Sequence, residues 1–159
     1  MIFTAIQSLT LDGRDISTDY KLSGSYFAKI PKVDASQDDI FLPSIRPIIT
    51  QKSNTTVNTK GDLYIPKTAS SVFNSTNIDY VLRNLNVEQL VVVGQLTEQC
   101  VESTVRQAAD LGYFVSVVED ACASYSPSRH KRGLAGMSGY CRILTTQALI
   151  KELQEGNDG

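Results

Sequence analysis

Runs of apolar residues separated by polar turns predict five strands in this chain. Residues 90–94 (LVVVG) form a continuous β-branched run, which is typical of a strand that is buried on both faces. Residues 114–120 (FVSVVED) repeat this pattern. Weaker apolar runs predict three further strands, over residues 2–9, 62–67 and 141–146.

Helical periodicity occupies the segments between these runs. Residues 76–85 and 100–112 carry apolar side chains at helical spacing, and residues 145–153 predict a closing helix. The two apolar faces contain Ile78, Val81, Leu82 and Leu85 in the first helix, and Val101, Val105, Ala108 and Ala109 in the second. Thr76 and Asp79 resemble a capping box at the start of the first helix.

Alternating helices and buried strands indicate an α/β domain on a mostly parallel sheet. Residues 50–61 are polar and without periodicity, so we expect a surface loop or insertion there. No internal repeat or composition change marks a boundary, and the sequence therefore predicts a single domain over residues 1–159.

Composition narrows the class of protein. Among 159 residues, 42% are hydrophobic and 20% charged, as in ordinary soluble domains. The net charge of -2 argues against a nucleic-acid partner, and residues 128–132 (SRHKR) are predicted to be a solvated surface turn. No apolar run approaches the roughly 20 residues of a membrane helix, and the first ten residues do not resemble a signal peptide. Three cysteines without metal-ligand spacing favour reduced thiols and a cytoplasmic location.

Cys100 lies where an apolar strand ends and a helix begins. Ligands of open α/β sheets bind at the carboxyl ends of the strands. The positive end of a helix dipole favours a thiolate, and its N–H groups bind anions. One turn would then supply a nucleophile and part of an oxyanion hole. A buried cysteine that packs as a small hydrophobic residue is an equally weighted alternative on position alone.

Cys100 and Arg106 also have the Cys-x5-Arg spacing of tyrosine phosphatases. A phosphate cradle needs glycine and small residues whose N–H groups converge. Here Glu102 would face a dianion and two valines would occupy the loop. The phosphatase interpretation therefore has little support.

Residues 91–126 (VVVGQLTEQCVESTVRQAADLGYFVSVVEDACASYS) resemble the isochorismatase-like cysteine hydrolases. That family has the pattern strand–Gly-x-x-Thr-x-x-Cys-Val–helix–Gly-Tyr–strand–Asp-Ala. The resemblance continues upstream, where Lys67, Ser71, Phe73 and Thr76 match a Lys-x3-Ser-x-Phe-x2-Thr segment, and downstream through SPSRH and ILTT. It extends from residue 62 to about residue 153.

The resemblance implies a three-layer α/β/α sandwich and a cysteine hydrolase. It makes Cys100 the nucleophile and Lys67 the cation that favours the thiolate. It places a cis peptide at Gln95–Leu96 and directs the backbone N–H groups of Leu96 and Cys100 at the oxyanion. Further residues implied to shape the pocket are Ser71, Phe73 and Thr97.

The implied reaction is hydrolysis of a small amide, ureido or related substrate through a thioester. The segment around Cys100 is similar to ureidoacrylate amidohydrolases, which favours C–N cleavage. The family often forms homo-oligomers, and no cofactor is expected. A site with two histidine ligands is impossible because His130 is the sole histidine, so we expect no metal. Asp120 is expected to be a turn or cap residue, and Cys122 and Cys141 ordinary reduced cysteines.

One family feature has no match in this sequence. The third catalytic residue is an Asp in an Ile-Asp-x-Gln context, whereas residues 1–24 resemble the family's second strand and its loop. We therefore expect the chain to lack the first strand and helix, and Asp12, Asp15 and Asp19 to be solvated loop carboxylates. The alternative function is a catalytically impaired or truncated paralogue that retains a binding or oligomerisation role.

Overall fold

The computed structural model describes residues 1–12, 14–18 and 63–156. The chain divides into two compact units, Met1–Thr76 and Asn77–Gly159. The predicted loop over residues 50–61 and the carboxylate of Asp19 lie outside the described residues. The prediction of one domain over the whole chain stays a prediction.

In the first unit, two parallel strands end at the same level. Strand β1 is Ile2–Ile6 and strand β2 is Leu63–Lys67, paired from Ile2 opposite Leu63 to Ile6 opposite Lys67. The short helix α1, Val72–Ser75, follows β2. Because the strands are parallel and in register, residues just after Ile6 come next to Lys67.

The second unit contains a parallel sheet in which β4 lies between β3 and β5, as far as the described residues show. Its strands are β3 (Gln89–Gln95), β4 (Phe114–Ala123) and β5 (Arg142–Leu144). Its α-helices are α2 (Ile78–Asn84), α3 (Glu102–Asp110), α4 (Pro127–Gly136) and α5 (Thr146–Glu155). A π-helical turn, Thr97–Val101, joins β3 to α3.

The core of the second unit forms where α3 packs on β4. The helix buries Val105 and Ala108, the π-helical turn before it buries Val101, and the strand buries Val115, Val117 and Val118. These positions match the apolar face that the sequence predicts for the helix, although Ala109 is only partly buried. Met137, just after α4, is fully buried as well.

The start of helix α2 differs from its predicted cap, whereas the start of helix α5 agrees with the role predicted for Asp120. The capping box at Thr76 and Asp79 is wrong: Thr76 Oγ1 donates to the carbonyl of Val72, and Asn77 precedes α2 without a side-chain cap bond. The hydroxyl group of Thr76 is thus used by the preceding helix. Asp120 does act as a cap, since its Oδ1 accepts from the backbone N and the Oγ1 of Thr146 at 2.7 and 2.8 Å.

Two further predictions are corrected. Residues 128–132 are not a turn: they belong to α4, which Ser126 caps by accepting from the backbone N of Arg129. Strand β3 is not buried on both faces, because Val91 and Val93 are 51% and 54% exposed. Side chains alternate along a strand, so these two exposed valines share one face of β3.

The fold class is confirmed. All strand pairs among the described residues are parallel, and helices alternate with strands through the second unit. None of the described helices has both the length and the apolar character that crossing a membrane demands.

Candidate active site

Lys67 is buried at the end of β2. Only 4% of its surface is exposed, so its ammonium group needs polar partners nearby. Its Nζ donates to the carbonyls of Ala69 and Ser70, both at 2.8 Å. The bend that follows β2 therefore turns its own carbonyls back onto the lysine and holds a positive charge at the strand end.

Ser71 and Phe73, which the resemblance assigns to the pocket, lie in the segment after Lys67. Ser71 is buried and caps α1, since its Oγ accepts from the backbone N of Phe73 at 3.2 Å. Phe73 is partly buried. The cap fixes the direction in which the chain leaves the strand end, and the assignment of Ser71 and Phe73 to the pocket stays a prediction.

Gln7 is a buried polar residue that the sequence reasoning missed. It follows β1, and its backbone N donates to the carbonyl of Lys67 at 3.0 Å. Its Oε1 accepts from the hydroxyl of Tyr64 at 3.0 Å, and burial raises the pKa of Tyr64 to about 12. A polar residue closing an apolar run is the signal that would have found it, because such positions lie at strand ends.

Asp15 is more than a solvated carboxylate. It accepts from the hydroxyl of Ser8, the backbone N of Leu9 and the hydroxyl of Thr10, at 2.6 to 2.8 Å. Although its partial burial acts in the opposite direction, these hydrogen bonds lower the pKa of Asp15 to about 2. Asp12 does match the prediction, because its carboxylate is 53% exposed and pairs with Arg14 on the surface.

Cys100 lies in the π-helical turn at the end of β3. The peptide bond between Gln95 and Leu96 is cis, at the position to which the resemblance assigns it. The carbonyl of Leu96 then accepts from the backbone N of Gln99 at 3.0 Å and of Val101 at 3.2 Å. The second of these is the five-residue bond of a π turn. Cys100 is partly exposed at this joint and is not among the buried residues of the core.

Thr97 stabilises the turn through the hydrogen bonds of its buried side chain. It is fully buried, and its Oγ1 lies 3.0 Å from the carbonyl of Ala123 and 2.8 Å from Nδ1 of His130. The hydroxyl has one hydrogen and a carbonyl only accepts, so Thr97 donates to Ala123 and His130 donates to Thr97 through Nδ1. His130 thus makes a structural contact with the turn.

The phosphatase alternative does not fit the structure. Residues from Glu102 onward are helical, so they do not form a loop whose N–H groups converge on a phosphate. Arg106 Nε pairs with Glu102 at 3.0 Å, and its guanidinium lies 4.5 Å from the centre of the Tyr140 ring. Nη2 of the same guanidinium group also donates to the carbonyl of Gly136. The arginine therefore joins α3 to the end of α4.

The other two cysteines, Cys122 and Cys141, also lie in the second unit. Burial raises the pKa of the Cys122 and Cys141 thiols, which disfavours their reactive thiolate form. No group of three or more potential metal ligands occurs within the part of the chain that the structure describes.

The predicted site residues are divided between the two units. Lys67, Ser71 and Phe73 belong to the first unit. The second contains the predicted nucleophile Cys100 together with Gln95, Leu96 and Thr97. The assignment of Lys67 and of the two backbone N–H groups to catalysis stays a prediction.

Comparisons with known proteins identify the family. Residues 50–148 match the model of the isochorismatase domain. The ureidoacrylate amidohydrolase RutB of Agrobacterium fabrum is 46% identical over 67 residues, which are 42% of this chain and 29% of that protein. YddQ, an isochorismatase family protein of Bacillus subtilis, is 34% identical over 98 residues, covering 55% of this chain and 54% of that protein. The chain thus matches about half or less of the length of these relatives.

A solved structure gives the same result for the fold. The cysteine hydrolase from Pseudomonas syringae superposes with a TM-score of 0.75 at 20% sequence identity, covering 97% of this chain and 71% of that one. At this identity the similarity establishes the fold alone. The domain match extends over more than half of the 159 residues, and the chain belongs to the isochorismatase family.

Proposed function

We propose that this protein is a cysteine hydrolase of a small amide or ureido substrate. The observation that carries the proposal is the position of Cys100, partly exposed on a turn at the carboxyl end of a parallel strand. Ligands of this fold class bind at such ends. Lys67 is buried at the end of a parallel strand of the first unit, and the family resemblance assigns to it the cation of the reaction.

The proposed reaction is hydrolysis in two steps. The thiolate of Cys100 attacks the carbonyl carbon, and the carbonyl electrons move to oxygen to form a tetrahedral oxyanion, which the backbone N–H groups of Leu96 and Cys100 stabilise. The C–N bond then breaks, the amine leaves with the proton that the Cys100 thiol lost on ionising, and a thioester remains. Water hydrolyses the thioester to an acid and restores the thiol. The sum is amide plus water giving acid plus amine.

The names of relatives narrow the substrate class. RutB is named for the hydrolysis of ureidoacrylate, and it shares 46% identity over the segment that it matches. We therefore propose a ureido or simple amide compound of similar size as the substrate. Homo-oligomeric assembly and a cytoplasmic location stay predictions from the family resemblance and the cysteine content.

The test is a panel of ureidoacrylate, other small ureides and small amides, assayed for ammonia or amine release. Replacing Cys100 by alanine should lower turnover by roughly 10³-fold or more, since the nucleophile is removed. The matched control is Cys122→Ala, which removes a partly buried thiol of the same unit and should retain turnover. Mass spectrometry should detect an acyl group on Cys100 during turnover. Full activity of Cys100→Ala would disprove the proposal.

The alternative is an impaired paralogue that binds such compounds without hydrolysing them. One sequence feature favours it, namely that no Asp in an Ile-Asp-x-Gln context occurs among the 159 residues. General acid–base groups contribute roughly 10²–10⁴-fold to a rate. Binding of a panel compound, measured by calorimetry, without turnover or acylation would support this alternative.

A further inference from the structure

Glu98 is a buried carboxylate in the turn that carries Cys100. Its side chain is only 5% exposed. Neither of its oxygens has a hydrogen-bond partner among the described residues, and the buried hydroxyl of Ser124 has none there either. Burial of an unpaired carboxylate is unfavourable by several kcal/mol, so a surrounding charge must stabilise it.

That charge comes from α4. Nη1 of Arg129 lies 4.0 Å from Oε1 of Glu98, and Arg132 contributes a second positive charge. Burial by itself raises the pKa of Glu98. The facing hydroxyl of Ser124, which does not reach hydrogen-bonding geometry, the backbone N–H of Glu98 itself and the two arginines together outweigh burial and hold that pKa below its ordinary value. The carboxylate is therefore ionised at neutral pH.

Helix α4 also touches the backbone of the turn directly. A Cβ placed on Gly133 would lie 2.7 Å from the N and 2.8 Å from the Cα of Glu98. The hydrogen bond from His130 to Thr97 is a second connection between the same two elements. The turn is thus held against α4 by a close backbone contact, a hydrogen bond and an electrostatic attraction.

We propose that Glu98 is a positioning residue for Cys100, an inference that rests on the proposed function. Glu98 and Cys100 are two residues apart in one π turn, so a shift of the first displaces the second. The attraction between the carboxylate and the α4 arginines fixes where the turn sits. Glu98 does not itself touch the substrate in this proposal. Removing its charge would loosen the turn and misdirect the sulfur.

The test compares Glu98→Gln with Glu98→Asp and Arg129→Gln in the full chain. The rate of Cys100 alkylation by iodoacetamide is followed from about pH 5 to about pH 9 by peptide mass spectrometry. Loss of a charge-assisted contact predicts a rate about tenfold lower for Glu98→Gln at each pH, with partial rescue by aspartate. Arg129→Gln should lower the rate less, because Arg132 remains. The double variant should be no slower than Glu98→Gln.

Two controls make the outcome specific. Glu152→Gln removes an exposed carboxylate that pairs with Arg142 at 2.6 Å in the same unit, and it should leave alkylation unchanged. Hydrogen exchange at the amides of Gln99 and Val101, which donate to Leu96 within the turn, should speed up in Glu98→Gln. If Glu98→Gln proves unable to fold, Arg129→Gln tests the same attraction from the surface, since that side chain is 52% exposed.

Failure of this inference and failure of the proposed function give different results. Rapid alkylation of Cys100 in both the natural chain and Glu98→Gln, with unchanged exchange, would overturn the positioning role alone. Slow alkylation of Cys100 in the natural chain, no faster than that of Cys141, would count against the proposed function. The exchange measurement would then still decide whether Glu98 holds the turn.

Discussion

The ends of strands β2 and β3 each carry a buried charge, and the two charges are stabilised in different ways. At the end of β2, the ammonium of Lys67 is bonded by the carbonyls of Ala69 and Ser70, two and three residues later. At the end of β3, the carboxylate of Glu98 has no such local partner within the described residues. Its countercharges come from α4, more than thirty residues later.

The two kinds of partner, local carbonyls and a distant helix, determine which parts of the molecule keep each charge in position. A charge bonded by the next few residues keeps its position as long as that short bend exists. A charge held by another helix keeps its position only while the helix remains packed. We therefore expect the turn that carries Cys100 to be sensitive to changes in α4, whereas the two hydrogen bonds from Lys67 to Ala69 and Ser70 should respond to changes within their own segment.

The largest expected effect comes from filling the contact between α4 and the turn. Replacing Gly133 by valine would place methyl groups against the backbone of Thr97 and Glu98, where even a Cβ comes within 2.8 Å. Replacing a helical glycine normally gains up to about 1 kcal/mol, but overpacking against rigid backbone costs about 1–3 kcal/mol or more. We expect a net loss of about 3 kcal/mol in the free energy of unfolding by urea, with slower alkylation of Cys100.

A matched glycine of the same helix provides the control. A Cβ on Gly136 would meet the carboxylate end of Glu102, 2.5 Å away, which is the flexible end of a side chain. Since that carboxylate can rotate aside, Gly136→Val should cost about 1 kcal/mol and leave the alkylation of Cys100 nearly unchanged. Equal losses for both variants would show that the turn is not specifically coupled to α4.

In the second unit, the sequence predicts the strands and the helix α3 better than it predicts the surroundings of Cys100. Continuous valine runs and helical spacing identify β3, β4 and α3, because each pattern reflects local burial. Helix α4 escaped prediction since residues 127–136 are polar and contain two glycines, and its contribution lies in a close approach that needs a glycine at Gly133.

The candidate site shows the same limit. A cysteine at a strand-to-helix joint is visible in the sequence, and so is a lysine that ends a strand. The burial of Glu98 is not visible in the sequence, because it depends on the turn itself, on Ser124 after β4 and on helix α4. The exposed face of β3 was also missed, since a run of valines has the same appearance whether one face or two are covered.

A smaller effect is expected where the charge is stabilised locally. Lys67→Met keeps most of the side-chain volume but leaves the carbonyls of Ala69 and Ser70 without this donor. Removing a buried ammonium relieves its desolvation, yet two acceptors that lose a partner cost about 1–3 kcal/mol in total. We expect the free energy of unfolding to fall by about 2 kcal/mol, measured by urea titration.

The exposed lysine of α5 serves as the comparison for that change. Lys151 is 72% exposed and pairs only loosely with Glu155, at 3.8 Å. Lys151→Met should therefore alter stability by less than about 0.5 kcal/mol. A similar small effect at Lys67 would mean that the two carbonyls do not depend on the lysine, and the contrast between the two strand ends would be lost.

The smallest expected effect is a pH dependence in the first unit. The carboxylate of Asp15 binds the turn after β1, and its pKa is lowered from 3.8 to about 2, the effect of partial burial being outweighed by hydrogen bonds from Ser8, Leu9 and Thr10. A lowered pKa means that this contribution to stability is complete above about pH 4 and is lost as the pH falls through about 2. After allowance for solvent screening, we expect about 1 kcal/mol, so Asp15→Asn should be less stable by that amount at pH 6 and equal to the natural chain near pH 2.

Urea titrations at about pH 6, 4 and 2 measure this convergence. Asp12→Asn removes a more exposed carboxylate of the same turn, and it should converge less. Because the partners of Asp15 are all within seven residues of it, changes in α4 should leave its pH dependence unaltered. Gly133→Val could instead remove the pH-dependent part of the free energy of unfolding that Asp15→Asn removes. The hydrogen bonds of Asp15 would then depend on α4, and the two kinds of stabilisation would not be independent. Parallel pH profiles for Gly133→Val and the natural chain would instead establish that each strand end is stabilised on its own.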